Sequence, residues 1–128
     1  MIVQSDDRIL IGGQFSAPTN SIARLEADGR PDVGFDQTFT TSVGATLDGY
    51  IEKLAVQSNG EIVVSGWFSR PKPWVLRLGA KGALDERFAA SPESALDAAV
   101  LCVLIDSKGR LVLGGAFTTP SGHLTRTD

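Results

Sequence analysis

Three stretches of the chain, residues 4–15, 57–68 and 106–117, align with one another without a gap. Each begins with a polar turn and runs into an apolar triplet: Ile9-Leu10-Ile11, Ile62-Val63-Val64 or Leu111-Val112-Leu113. A small-residue pair follows, Gly12-Gly13, Ser65-Gly66 or Gly114-Gly115, and each stretch closes on Phe15, Phe68 or Phe117. The correspondence continues through Pro18, Pro71 and Pro120 to Arg24, Arg77 and Arg126, and in the first two units it reaches Asp32 and Phe35 or Asp85 and Phe88. Phe68 follows Phe15 by 53 residues and Phe117 follows Phe68 by 49; the difference falls between Phe35 and Leu54 in one unit and between Phe88 and Val103 in the other, which marks a variable loop. Self-similarity at a period of about fifty residues means one supersecondary unit copied in tandem, each copy burying its apolar surface against its neighbours.

The residues of a unit read as strands. Residues 50–57 and 99–106 end at Ser58-Asn59-Gly60 and Ser107-Lys108-Gly109, where the glycine supplies the positive φ of a tight hairpin. The first unit has Asp7 at that place, a residue that tolerates the left-handed region better than most. The triplets are continuous apolar runs rather than alternations, so both faces of the second strand must be buried, as in a sheet held between two similar sheets. The glycine pairs after them suit a place where backbones crowd. A third strand is expected over residues 21–26 and 74–79, turning at Asp28-Gly29 and Lys81-Gly82, and a short segment near Phe35 or Phe88 is expected to finish a four-stranded sheet. Helical signal is confined to residues 92–100, where Pro92-Glu93-Ser94-Ala95-Leu96 favours a turn or two.

Four strands in about fifty residues match a β-propeller blade, whereas solenoid repeats are usually shorter or helical. The succession of Asp-Gly-Lys-like turn, apolar triplet, Gly-Gly-x-Phe, Arg-Leu, Asp-Gly and Leu-Asp-x-x-Phe resembles the delta-60 or DUF5122-type β-propeller repeats of large bacterial proteins. It departs from that pattern at Asp7, Ser65 and Thr127. The resemblance implies an all-β propeller architecture, points to secreted or cell-surface proteins and brings no catalytic residues with it. The chain is thus expected to be a single propeller repeat region over residues 1–128, with units at about 1–48, 49–98 and 99–128, the first and last incomplete. About two and a third blades do not close a ring of four to eight. Two completions are therefore expected: the remainder of a longer chain, or a homo-oligomer, with a trimer closing about seven blades.

The 15 acidic and 12 basic residues leave a net charge of −3, which disfavours nucleic acid and anionic membrane as partners. The longest apolar run, residues 98–105, is too short to cross a bilayer, and the first residues lack the basic start and apolar middle of a signal peptide. The single Cys102 excludes an internal disulfide and reads as a packed thiol beside Leu101 and Val103.

Residues that recur in every unit are explained by what a unit needs to fold, so candidates for binding are those that break the repeat. Trp67 stands where the other units have Gln14 and Ala116, and Trp74 where they have Ser21 and His123. Between them lies the basic loop Ser69-Arg70-Pro71-Lys72-Pro73. Trp67, Arg70, Lys72 and Trp74 form the ligand-binding candidate, suited to stacking on a sugar ring or clasping an acidic peptide. The competing reading has the two indoles filling gaps between blades. Arg24 with Asp32, and Arg77 with Asp85, read as structural ion pairs. Asp28, Asp32 and Asp36 loosely suggest calcium, but the second unit offers Lys81, Asp85 and Ala89 there, so no metal is predicted. His123 is placed in the last loop without a catalytic partner.

The reading is a non-catalytic scaffold or binding module that needs no cofactor and contacts proteins or surface glycans through loops. One alternative is part of a propeller enzyme with its site at the central channel, for which Glu52 and Asp106 are the nearest acids. Another is a purely structural spacer.

Overall fold

The computed structural model describes residues 1–15, 21–44, 47–71, 74–89, 98–119 and 122–127. Among these residues nine strands form three separate antiparallel sheets in chain order: β1 (Ile2–Val3), β2 (Ile9–Gly12) and β3 (Ile22–Leu25); β4 (Tyr50–Val56), β5 (Ile62–Trp67) and β6 (Val75–Leu78); β7 (Val100–Ile105), β8 (Leu111–Thr119) and β9 (Gly122–Thr127). Each sheet is an up-and-down meander with its middle strand at the centre, the arrangement of a propeller blade. The hairpin turns carry the expected left-handed residue, φ being 67° at Asp7, 87° at Gly60 and 78° at Gly109. No helix among the described residues is long and apolar enough to cross a membrane.

The middle sheet is buried on both faces, as the triplet requires. Ile62, Val64, Leu76 and Leu78 point into a core shared with the first sheet, where Leu10 and Ile22 meet them. Val63 and Val75, on the opposite face, enter a second core with Val100, Leu111, Leu113 and Phe117 of the third sheet. Alternate residues of one strand therefore serve two cores, and the sheets stack face to face in sequence order.

The expected fourth strand near Phe35 is a helix. Residues Val33–Phe39 form α1, which continues as a π-helical turn over Thr40–Gly44, and Glu86–Ala89 form the shorter α2. The physical reason is capping: the Asp32 carboxylate accepts from the Phe35 N–H at 3.2 Å, and Asp85 accepts from Arg87 N–H at 3.1 Å and Phe88 N–H at 3.3 Å. Each blade is therefore three-stranded among the described residues, and in the first two units a helix follows the third strand. Phe35, Phe39, Val43 and Leu47, spaced four apart, all fall in the first core. The helical turns expected over residues 92–100 lie mostly outside the described residues.

The paired small residues are explained by register. Gly66 faces Ile51 and Gly115 faces Val100, each beside a bulge in the first strand of its sheet. A Cβ on Gly66 would lie 2.1 Å from the Tyr50 carbonyl oxygen, and one on Gly115 would lie 2.3 Å from that of Ala99. At the matching Gly13 it would meet, among the described residues, only the Phe15 ring, at 3.4 Å.

Hydrogen bonds join the first unit to the second at main-chain atoms. Arg24 Nη1 donates to the Ala80 carbonyl at 2.8 Å, and Ser21 Oγ donates to that of Gly49 at 3.0 Å. Ser42 Oγ donates to the Gly82 carbonyl at 3.4 Å and accepts from Leu84 N–H at 3.3 Å.

Candidate functional site

Repeated polar residues build the blades. Arg24 Nε donates to Asp32 Oδ2 at 2.8 Å, Arg77 Nε to Asp85 Oδ2 at 2.8 Å, and each guanidinium lies over the ring of the helix phenylalanine, 4.4 Å above Phe35 or 4.9 Å above Phe88. The same three-residue device in two units, tying the third strand to the helix cap, contains the structural ion pair expected from the sequence. Burial alone would push the Asp32 carboxyl up; the Phe35 N–H and the Arg24 guanidinium outweigh it and hold the carboxyl below its ordinary range. Burial raises Asp36, whose Oδ1 accepts from the Arg24 N–H at 3.1 Å, and the nearby Asp32 charge adds to the rise.

The loose calcium set is committed to protein donors. Asp28 holds Arg30 at 2.7 Å, Asp32 holds Arg24, and Asp36 holds the Arg24 N–H. Asp106, one of the channel acids, closes a hairpin turn through Lys108 N–H, Arg110 N–H and Arg110 Nε. His123 falls in β9 rather than in a loop, because that strand runs from Gly122 to Thr127 against β8. Cys102, expected to be packed, is exposed: it lies in β7 on the outer side of the third sheet, where no further sheet covers it among the described residues.

The residues that break the repeat come together. Trp67 ends β5 and Trp74 precedes β6, and their rings meet edge to face, centroids 5.8 Å apart and planes at 84°. Asp48, Trp67, Phe68, Ser69 and Trp74 line an open cleft of about 300 Å³. Trp67 is 45% exposed, while Trp74 is half-buried against the second core, so packing and exposure are divided between the two indoles. The Trp67 indole N–H donates to Glu52 Oε2 at 3.2 Å, which pins the ring.

Asp48, which no repeat pattern flags because it lies in the variable loop, organises the β5–β6 loop. It accepts from Ser69 N–H at 2.7 Å, from the Ser69 hydroxyl, and from Arg70 N–H at 3.1 Å, with the Arg70 guanidinium 3.6 Å away. The Ser69 hydroxyl first, then the Ser69 and Arg70 N–H groups, hold its carboxyl far below the ordinary carboxylate range, so it is ionised at any physiological pH. Of the candidates named from sequence, Trp67, Arg70 and Trp74 belong to this wall and rim; Lys72 lies outside the described residues. Glu52, weighed as a channel acid, is the partner of Trp67.

Trp74 has φ 75°, a conformation that bulky side chains seldom adopt. The repeat imposes it: Ser21, its counterpart, has φ 70°, and both donate their N–H to the phenylalanine carbonyl that closes the preceding stretch, Phe15 or Phe68. Placing the largest side chain at this position is therefore a local departure from backbone preference, of the kind that gathers at functional sites.

A family model described as "Domain of unknown function (DUF5122) beta-propeller" matches residues 4–35 and 57–88, half of the chain and the corresponding part of two successive units. Comparison with curated proteins and with solved structures finds no match.

Proposed function

The chain belongs to the DUF5122 β-propeller family, and from that premise we propose that it is a non-catalytic binding module whose ligand contacts lie in the cleft between Trp67 and Trp74. The observation that carries this reading is convergence. Two tryptophans that break the repeat meet at one opening, where Glu52 holds the Trp67 indole and Asp48 holds the adjoining loop. Packing leaves 45% of the Trp67 indole exposed, and that exposed part gives a binding surface a rigid apolar face.

Trp67→Ala tests it on arrays of glycans and peptides. Loss of capture with an unchanged melting temperature supports a site. A large fall in melting temperature assigns the indole to packing, and an absence of capture by the unaltered chain favours a spacer.

A second contact surface is supported by the outer sheets. Ile9 and Ile11 are only half-buried, whereas their counterparts Ile62 and Val64 are fully buried; Leu104 is 45% exposed where Ala55 is 8%. These faces match the ones already packed within the chain, so they accept a further blade, from additional chain or from another copy. Light scattering of the purified chain distinguishes the two, because monomer mass removes the second.

A further inference from the structure

We propose that the Trp67–Trp74 cleft takes a neutral sugar ring rather than an acidic peptide, an inference that rests on the cleft being a ligand site. Shape gives the first reason. Two indoles at 84° in direct contact leave no slot for a ring between them; they form an inside corner, one apolar face for stacking and a perpendicular wall beside it. The buried Phe68 closes the floor. Such a corner fits an object one ring thick, apolar on its C–H face and polar around its rim, which describes a pyranose. The volume, about 300 Å³, is at the small end of ligand sites, enough for a sugar residue or two but not for a folded peptide.

Charge gives the second reason. Among the described residues at the cleft, Asp48 and Glu52 are two carboxylates against the single guanidinium of Arg70, and that guanidinium is already drawn toward Asp48 at 3.6 Å. Asp48 cannot relieve the imbalance by taking a proton, because three hydrogen bonds keep it ionised. An acidic peptide brought here meets the like charge of Asp48 and Glu52, and Arg70, the described cation beside them, is already drawn toward Asp48. A neutral polyol meets the reverse: remaining Arg70 N–H donors and carboxylate oxygens, both suited to hydroxyls, with no ion to desolvate. Preorganisation is the third reason. Glu52 fixes the Trp67 ring and Asp48 fixes the loop, so little side-chain freedom is lost on binding.

The test is an NMR titration of the full chain with cellotriose, maltotriose, xylotriose and mannotriose, and separately with hexaglutamate, at low and high salt. The expected result is a shift of the Trp67 and Trp74 indole N–H signals with at least one neutral trisaccharide. That shift is insensitive to salt, weakened about tenfold or more by Trp67→Ala and only partly by Trp67→Phe. Indole shifts with hexaglutamate that salt abolishes overturn the sugar inference and leave the binding module standing. Saccharide binding unaltered in Trp67→Ala places the sugar elsewhere and overturns it too. If neither probe moves the indole signals at about 10 mM, a weaker limit than millimolar binding, both readings fall.

Discussion

Alanine at Gly66 and alanine at Gly13 make the same chemical change at the same repeat position, and they are expected to differ by about 3.5 kcal/mol. At Gly66 the new Cβ lies 2.1 Å from the Tyr50 oxygen and 2.9 Å from the Ile51 Cα, both backbone atoms. Ordinary contact needs roughly an ångström more, so β5 must withdraw from β4 beside the bulge. Two ladder hydrogen bonds then stretch past useful length at about 1 kcal/mol each, and a gap opens behind the buried Ile51, adding about another 1 kcal/mol. At Gly13 the Cβ meets, among the described residues, only the edge of the Phe15 ring at 3.4 Å, and φ there is not positive. Restricting the unfolded chain then stabilises by about 0.5 kcal/mol. Urea unfolding followed by far-ultraviolet circular dichroism reads the difference: with a slope of about 1.5 kcal/mol/M, Gly66→Ala loses about 2 M in midpoint while Gly13→Ala holds or gains slightly. Gly115→Ala, with its Cβ 2.3 Å from the Ala99 oxygen, should follow Gly66→Ala. Equal midpoints for Gly66→Ala and Gly13→Ala would show that strand crowding does not explain the glycine.

Other perturbations follow from the same geometry. Ser65, where the other units have Gly12 and Gly114, buries a hydroxyl with no hydrogen-bond partner among the described residues, so Ser65→Ala should stabilise by about 1 kcal/mol in the same urea assay. Arg24→Met should cost about 3 kcal/mol or more, because it strands the Asp32 carboxylate and the Ala80 carbonyl; Arg77→Met, at a more exposed pair, should cost less. Asp36 binds its proton more tightly when folded, since burial raises it, so its ionisation opposes folding above the ordinary carboxylate range. Asp36→Asn should accordingly raise the urea midpoint near neutral pH, and the gain should vanish by about pH 3, below the ordinary aspartate pKa. The lowered Asp32 and Asp85 carboxyls act in the opposite sense: their stabilisation is complete above the ordinary pKa and is lost as pH falls through the folded one.

What the sequence made legible was whatever the repeat wrote more than once. The triplets declared two buried faces, and Val63 and Val64 do point into different cores. The Arg24–Asp32 and Arg77–Asp85 pairs declared themselves by recurring. The helix after the third strand was missed although its signal was present: Asp32 three residues before Phe35 is a cap, and Phe35, Phe39, Val43 and Leu47 keep helical spacing. A shared Asp-x-x-Phe reads equally well as a strand end, and the four-residue spacing exists only in the variable segment, where no second copy reinforces it. At the cleft, Trp67 and Trp74 were visible because they break the repeat. Asp48 was not, since its partners Ser69 and Arg70 lie more than twenty positions away and only the fold brings them together.

The hydrogen bonds that Ser21, Arg24 and Ser42 of the first unit make to the second end on its main chain: the carbonyls of Gly49, Ala80 and Gly82, and the amide of Leu84. A joint that grips peptide groups is indifferent to which side chains its neighbour displays. The second unit can therefore change its surface side chains, as where Trp67 stands in place of Gln14, while these bonds from the first unit still find their partners.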